Sequence, residues 1–287
     1  MKLVRFGPPG REKPGIIDAK GRIRDLSGVV PDIVGDTLGA KSLAKLRRIK
    51  ADTLPQVRGS VRLGPCVGAV GNYIAIGLNY SDHAKEAGMP IPSEPIVFLK
   101  AHSCICGPND NIMLPKGSKK TDWEVELAIV IGERARNLSK KEALDVVAGY
   151  CIANDVSERE FQLERPGGQW AKGKGCETFG PIGPWLVTKD EIPEPQRLDM
   201  WLDVNDERMQ EGSTKTMIFG VAHIVWFCSQ YMVMEPGDVI ATGTPPGVGS
   251  GMKPPRFLKH GDVVRLGIGG LGEQTQKVVR FKTSGPA

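Results

Sequence analysis

The chemistry of this chain starts at Glu124-Val125-Glu126. Residues two apart on a strand point the same way, with their Cα atoms about 6.5–7 Å apart. The two carboxylates therefore share one face, while Trp123, Val125 and Leu127 take a core-like face opposite. Converging carboxylates repel each other unless a cation or a base sits between them. Donors that are all oxygen suit a hard cation, Mg²⁺ or Mn²⁺. Asp155 adds a third carboxylate, at the end of the apolar segment GYCIAN (149–154). Alone, Glu124 and Glu126 also fit an exposed strand face, and Asp155 also fits a helix cap. Together the three make a facial set that leaves positions open for substrate and water.

Two further features could serve such a set. His83 and Glu86 are three apart on an expected short helix, hence on one face. A carboxylate beside an imidazole fixes its tautomer and raises its basicity, so the pair can activate water. The plainer reading is a surface helix pair. Lys174 lies in a Gly-rich stretch, AKGKG (171–175), between Trp170 and Phe179. A lysine held there can neutralise an oxyanion; otherwise it is a flexible surface side chain.

Other motifs fail. Residues 168–174 match a phosphate loop up to its last position, where Gly175 replaces the required hydroxyl. Gly267, Gly269 and Gly272 match G-x-G-x-x-G, but too little chain follows for a dinucleotide unit. The four histidines lack zinc-protease spacing, and no G-x-S-x-G elbow is present.

The elements that must position these residues are strands and short helices. The chain has 287 residues, a prior of about two domains. Its 36 Gly and 22 Pro speak against a helix bundle and for many ordered turns. Strands are expected at 73–80, 96–100, 122–132, 149–157, 238–244 and 262–268, with a hairpin around 16–26. Helices are expected at 36–50, 81–88 and 139–147, and a longest one at 213–232 capped by Ser213 or Thr214. Strands and helices do not alternate with the even beat of a doubly wound sheet.

Lys and Arg total 38 against 33 Asp and Glu. The densest basic run, Lys41, Lys45, Arg47, Arg48 and Lys50, has no interleaved aromatics and reads as a solvated face rather than a nucleic-acid site. None of the six cysteines forms a C-x-x-C pair, which fits reduced thiols in a cytoplasmic protein. No signal-peptide stretch opens the chain, and the longest nearly apolar run, 217–228, is too short to span a bilayer. Neither nucleic acid nor membrane is an expected partner.

Seven segments together resemble the fumarylacetoacetate hydrolase superfamily: GLNYSDHAKEAG (77–88), PIVFLK (95–100), DWEVELAIVIG (122–132), AGYCIANDVSEREFQ (148–162), KGCETFGPIGPW (174–185), EGSTKTMIF (211–219) and EPGDVIATGTPPGVG (235–249). They run in the family's order from about residue 72 to 281. The resemblance implies an α+β, β-rich fold: a mixed β-sheet rolled on itself, ringed by short helices, forming a homodimer. It implies a small N-terminal domain at 1–70 and a catalytic domain at 71–287. The family's metal ligands match Glu124, Glu126 and Asp155, for Mg²⁺ or Mn²⁺. Its catalytic dyad matches His83 and Glu86 on a lid helix, and its active-site lysine matches Lys174. Its substrate-binding residues match Arg159, Gln162 and Thr244, with Lys100 a weaker match at the end of the FLK strand. Cys176-Glu177 departs from the family's usual aromatic and Asp, which puts the presentation of Lys174 in doubt.

The implied reaction is hydrolysis of the C3–C4 bond of a 2,4-diketo acid. Both ends of the chain look closest to bacterial hydrolases of 2,4-diketo-3-deoxy-L-rhamnonate or L-fuconate, a group whose members also carry the name ureidoglycolate lyase. The rivals are a broader acylpyruvate hydrolase, a lyase or isomerase on the same site, and a non-catalytic binding protein that keeps the fold.

Overall fold

The structure is a computed structural model that describes residues 1–86 and 88–283. Ala87, inside the expected helix 81–88, lies outside the described residues, as do residues 284–287 of the expected catalytic domain. The strands are β1 (Lys2–Phe6), β2 (Lys13–Ile17), β3 (Ile23–Asp25), β4 (Tyr73–Gly77), β5 (Ile96–Lys100), β6 (Ile105–Cys106), β7 (Ile112–Met113), β8 (Thr121–Asp122) and β9 (Val125–Ile131). They continue with β10 (Val147–Asn154), β11 (Ser157–Glu158), β12 (Gly180–Thr188), β13 (Asp199–Val204), β14 (Glu207–Ser213), β15 (Val239–Ala241), β16 (Val263–Ile268) and β17 (Gly272–Val279). The α-helices are short: α1 (Ala40–Arg47), α2 (Ser81–Glu86), α3 (Ala171–Lys174) and α4 (Val221–Tyr231).

The class is α+β and sheet-rich, as expected. The roll consists of open sheets rather than a closed one. A ten-stranded mixed sheet runs β3-β2-β1-β12-β10-β9-β15-β4-β5, with β6 joining β12. A five-stranded sheet runs β14-β13-β16-β17-β7, and β8 pairs with β11 alone. Every residue of β9 and β10 is buried. Near-continuous apolar runs of this kind belong to strands covered on both faces. Gln274 and Gln276 of β17 tie the five-stranded sheet to the large one: Gln274 donates to the carbonyls of Ile152 and Gly183, and Gln276 accepts from Asn154.

The first 70 residues extend the main sheet rather than forming a sheet of their own. β1 pairs antiparallel with β12, Leu3 opposite Leu186. Leu26, Ile33, Leu38, Leu43 and Leu46 belong to the same buried core as β9 and β10. The expected hairpin forms between β2 and β3. Lys41, Lys45, Arg47, Arg48 and Lys50 are exposed, so the basic run is a solvated face.

Several expected elements need correction. The strand at 122–132 is broken: Asp122 pairs with β11, while Val125 starts β9 in the large sheet. Between them the N–H groups of Trp123, Glu124 and Val125 donate to the side-chain oxygens of Asp122, Asn154 and Gln210 rather than to a neighbouring strand. The segment 139–147 makes successive turns, its backbone bonds running i to i+3. The long helix starts at Val221, not near Ser213; residues 213–216 belong to the end of β14 and a 3₁₀ turn. Gly269, Gly270 and Leu271 form the tight link between β16 and an unexpected last strand, β17.

Candidate active site

The break before β9 builds the site. Glu124 sits at the break, Glu126 follows inside the strand, and Asp155 emerges from the end of the neighbouring β10. The Asp155 N–H donates to the Glu124 carbonyl at 2.9 Å, which fixes the two chain segments against each other. Each of the three carboxylates offers an oxygen within 4.8 Å of the others, and all three are buried. Trp123, Val125 and Leu127 are fully buried on the opposite face, as the alternation required.

Buried cations surround this set. Lys174 Nζ bridges Glu124 Oε2 at 2.7 Å and Asp155 Oδ2 at 2.6 Å. It points there because α3 is packed on the turn at residues 160–164 and on β5; Gly173 faces Gln162 so closely that a Cβ would lie 2.6 Å from that side chain. Lys100, at the end of β5, donates to Asp155 Oδ1 and is itself buried. Arg159 reaches Glu124 Oε1 at 2.7 Å through Nη2, Asp122 Oδ2 at 2.8 Å through Nε, and Gln162 Oε1 at 3.0 Å through Nη1.

Charge is unevenly satisfied. Burial pushes Glu124 up, but Lys174 and Arg159 outweigh it and hold its carboxyl down at about 2. Burial also works against the charge on Lys174, yet Asp155 and Glu124 keep its ammonium above the ordinary range. Glu126 goes the other way. Burial, then Asp155 and Glu124, push its carboxyl well above the usual value. Among the described residues its one hydrogen bond is from the Gly243 N–H at 2.8 Å. A donor set of three buried carboxylates, one of them short of positive partners, fits a divalent hard cation.

His83 and Glu86 of α2 meet, with Nδ1 3.0 Å from Oε2. The Gly247 N–H donates to the same carboxylate at 3.1 Å. The loop 243–251 therefore contacts the His83–Glu86 pair at Gly247 and the Glu126 carboxylate at Gly243. Thr244, in this loop, donates to the Val125 carbonyl at 2.9 Å and accepts from Gln210 at 2.8 Å. Its hydroxyl is committed to the protein, with one lone pair left over.

Several residues of the site escaped the sequence reading. Asp122 lies at the same period-two spacing as Glu124 and Glu126, a signal that was available. Phe98 lies two residues from Lys100 on the same face of β5, its ring centroid 5.3 Å from Lys174 Nζ and 5.3 Å from the Trp170 ring. Trp170 in turn packs where Gly77 has no side chain; a Cβ there would lie 2.4 Å from the indole. Both rings are partly exposed, so they form an apolar wall beside the lysine.

Residues 72–279 match the fumarylacetoacetate (FAA) hydrolase C-terminal family. The chain belongs to the fumarylacetoacetate hydrolase family. A Burkholderia cenocepacia relative, described only as a candidate hydrolase, is 64% identical over 96% of this chain and 98% of its own. A structure titled as a probable 2-hydroxyhepta-2,4-diene-1,7-dioate isomerase from Mycobacterium abscessus aligns with TM-score 0.81 at 32% identity, covering 99% of this chain and all of that one. A maleylpyruvate hydrolase from Sphingobium sp. SYK-6, in complex with manganese(II) and pyruvate, aligns with TM-score 0.80 at 28% identity, covering 98% and 100%. The fumarylacetoacetate hydrolase family thus includes hydrolases and isomerases of this fold. Among the described residues, no helix is long and apolar enough to cross a membrane.

Proposed function

We propose that this protein hydrolyses the C3–C4 bond of a 2,4-diketo acid with a divalent metal held by Glu124, Glu126 and Asp155. The observation that carries the reading is the meeting of three buried carboxylates with a bridging lysine, with a His–Glu pair held to the same glycine loop. Mg²⁺ is the assigned ion, with Mn²⁺ as substitute. When bound, it would supply Lewis-acid stabilisation of negative charge on a substrate oxygen.

The chain's own residues do the rest. The Glu86 carboxylate accepts Nδ1–H of His83, which leaves Nε2 to take a proton from water. That water adds to C4 of the substrate. The C3–C4 electron pair departs toward C3 as the enolate of pyruvate, and Lys174 donates a hydrogen bond to the enolate oxygen. Protonation at C3 gives pyruvate; the C4 side leaves as a carboxylic acid. Arg159 and Gln162, with the free lone pair of Thr244, are assigned to the polar head of the substrate.

The leading substrate is 2,4-diketo-3-deoxy-L-rhamnonate, giving pyruvate and L-lactate in sugar-acid catabolism. The reading includes a cytoplasmic homodimer. Values of kcat/KM across a panel of this compound, acetylpyruvate and fumarylpyruvate test the acyl side. A preference of tenfold or more for the rhamnonate compound supports the assignment, and equal or better rates on acetylpyruvate indicate a broad acylpyruvate hydrolase.

The isomerase among the similar structures favours a second reading, isomerisation or decarboxylation through the same enolate without attacking water. The His83–Glu86 contact favours hydrolysis over it. Unchanged turnover in His83→Ala would reverse that order.

A further inference from the structure

Asp122 is a fully buried carboxylate that the chemistry above does not use. Four donors fill it. Oδ1 accepts from the N–H groups of Trp123 at 2.9 Å and Gly249 at 2.7 Å. Oδ2 accepts from Arg159 Nε at 2.8 Å and the Ser250 N–H at 3.0 Å. A carboxylate has about four acceptor positions, so Asp122 has none left for metal, water or substrate.

Its partners lead to several working parts of the site. Arg159 carries on to Glu124 Oε1 at 2.7 Å. The loop that Asp122 pins at Gly249 and Ser250 sends the Gly243 N–H to Glu126 at 2.8 Å and the Gly247 N–H to Glu86 at 3.1 Å. One carboxylate therefore supports two of the three ligand carboxylates and the partner of the base. We propose that Asp122 is a positioning residue that sets Glu124 through Arg159, and sets Glu126 and the His83–Glu86 pair through the loop. An asparagine of the same shape would turn one oxygen into a donor facing N–H donors, and would remove the charge that holds Arg159.

The inference rests on the metal reading, so its test is read without substrate. Mn²⁺ affinity is measured by electron paramagnetic resonance on Asp122→Asn and on Asp122→Glu, with the thermal midpoint of the metal-free protein alongside. Loss of groups that orient metal ligands costs about 10- to 100-fold in affinity. The expected result is that Asp122→Asn weakens Mn²⁺ binding by about that factor. At saturating Mn²⁺, kcat falls more than KM changes. Asp122→Glu keeps the charge but shifts the carboxylate by one methylene, and falls between Asn and wild type. A purely structural role would lower the midpoint and leave the Mn²⁺ affinity of the folded protein unchanged. Wild-type affinity in whichever variant folds overturns the proposal. Wild-type protein that binds no Mn²⁺ overturns the metal reading and this inference with it, whereas failure on diketo acids alone leaves the Mn²⁺ result standing in support.

Discussion

Glu126 and His83 do different work, and single substitutions separate them. Among the described residues Glu126 has one hydrogen bond and two acidic neighbours, which is why the proposal gives it a cation as partner. Glu126→Gln should abolish tight Mn²⁺ binding and lower kcat/KM by at least about 100-fold. Isothermal titration would show it; retained affinity and rate would contradict the ligand assignment. The raised carboxyl also gives a pH dependence with a definite sign. The protonated form is favoured without metal, and binding must expel that proton. Affinity should therefore rise with pH and fall on acidification. Titration in buffers of different ionisation enthalpy would detect the released proton; pH-independent affinity with no release would contradict it. His83→Ala should keep Mn²⁺ binding and lose about 10²- to 10⁴-fold in kcat, the usual contribution of a general base. At this scale much was legible. Glu124, Glu126, Asp155, His83, Glu86 and Lys174 carried readable chemistry in their types and spacing, although the resemblance was needed to join them. Asp122 had its period-two spacing as a signal, but Lys100 was undervalued because a buried charge is recognised by its partners, and partners distant in sequence leave no local signal.

At the scale of elements, the site depends on places where regular structure stops. The segment 122–132 reads as one strand because its alternation is clean. It divides because Asp122, Asn154 and Gln210 offer side-chain oxygens to its backbone, a competition that propensity does not reveal. The segment 139–147 departs from its helix-like pattern as well: its backbone bonds run i to i+3, so it forms a series of turns. Gly149 and Gly247 mark close approaches. A Cβ on Gly149 would lie 2.1 Å from the Val187 carbonyl oxygen, beside the register shift between β10 and β12. Gly149→Ala should lower stability by about 2–4 kcal/mol in urea titration, among the larger single-residue effects. A change under about 0.5 kcal/mol, ordinary for a surface site, would contradict the packing described. Gly247 has φ +100°, and a Cβ there would lie 1.9 Å from the Met209 carbonyl oxygen. Its backbone can therefore approach Glu86 only as glycine.

For the whole molecule, the fold class and the segment order were legible, because long apolar runs such as β9 and β10 leave little choice. The division at residue 70 was drawn from a change in texture, from a stretch poor in chemistry to one rich in it. Texture follows function, whereas sheet continuity follows hydrogen bonding. The pairing of β1 with β12 crosses that boundary. Deleting residues 1–70 would uncover the β12 edge and the core around Leu3 and Leu186, and an exposed apolar edge invites aggregation. The truncated chain should be insoluble or lack a cooperative thermal transition by circular dichroism. A fragment 71–287 that melts like the full chain would contradict the continuity of the sheet.

The central claim is that the buried carboxylates hold a metal for carbon–carbon hydrolysis. Its most direct test is to strip the protein of metal and titrate Mg²⁺ back in the presence of a 2,4-diketo acid while quantifying both products. Pyruvate and the partner carboxylic acid should appear in equal amounts, and only as the ion is added. Full-rate release from the stripped protein, or loss of the diketo acid without pyruvate, would contradict the account.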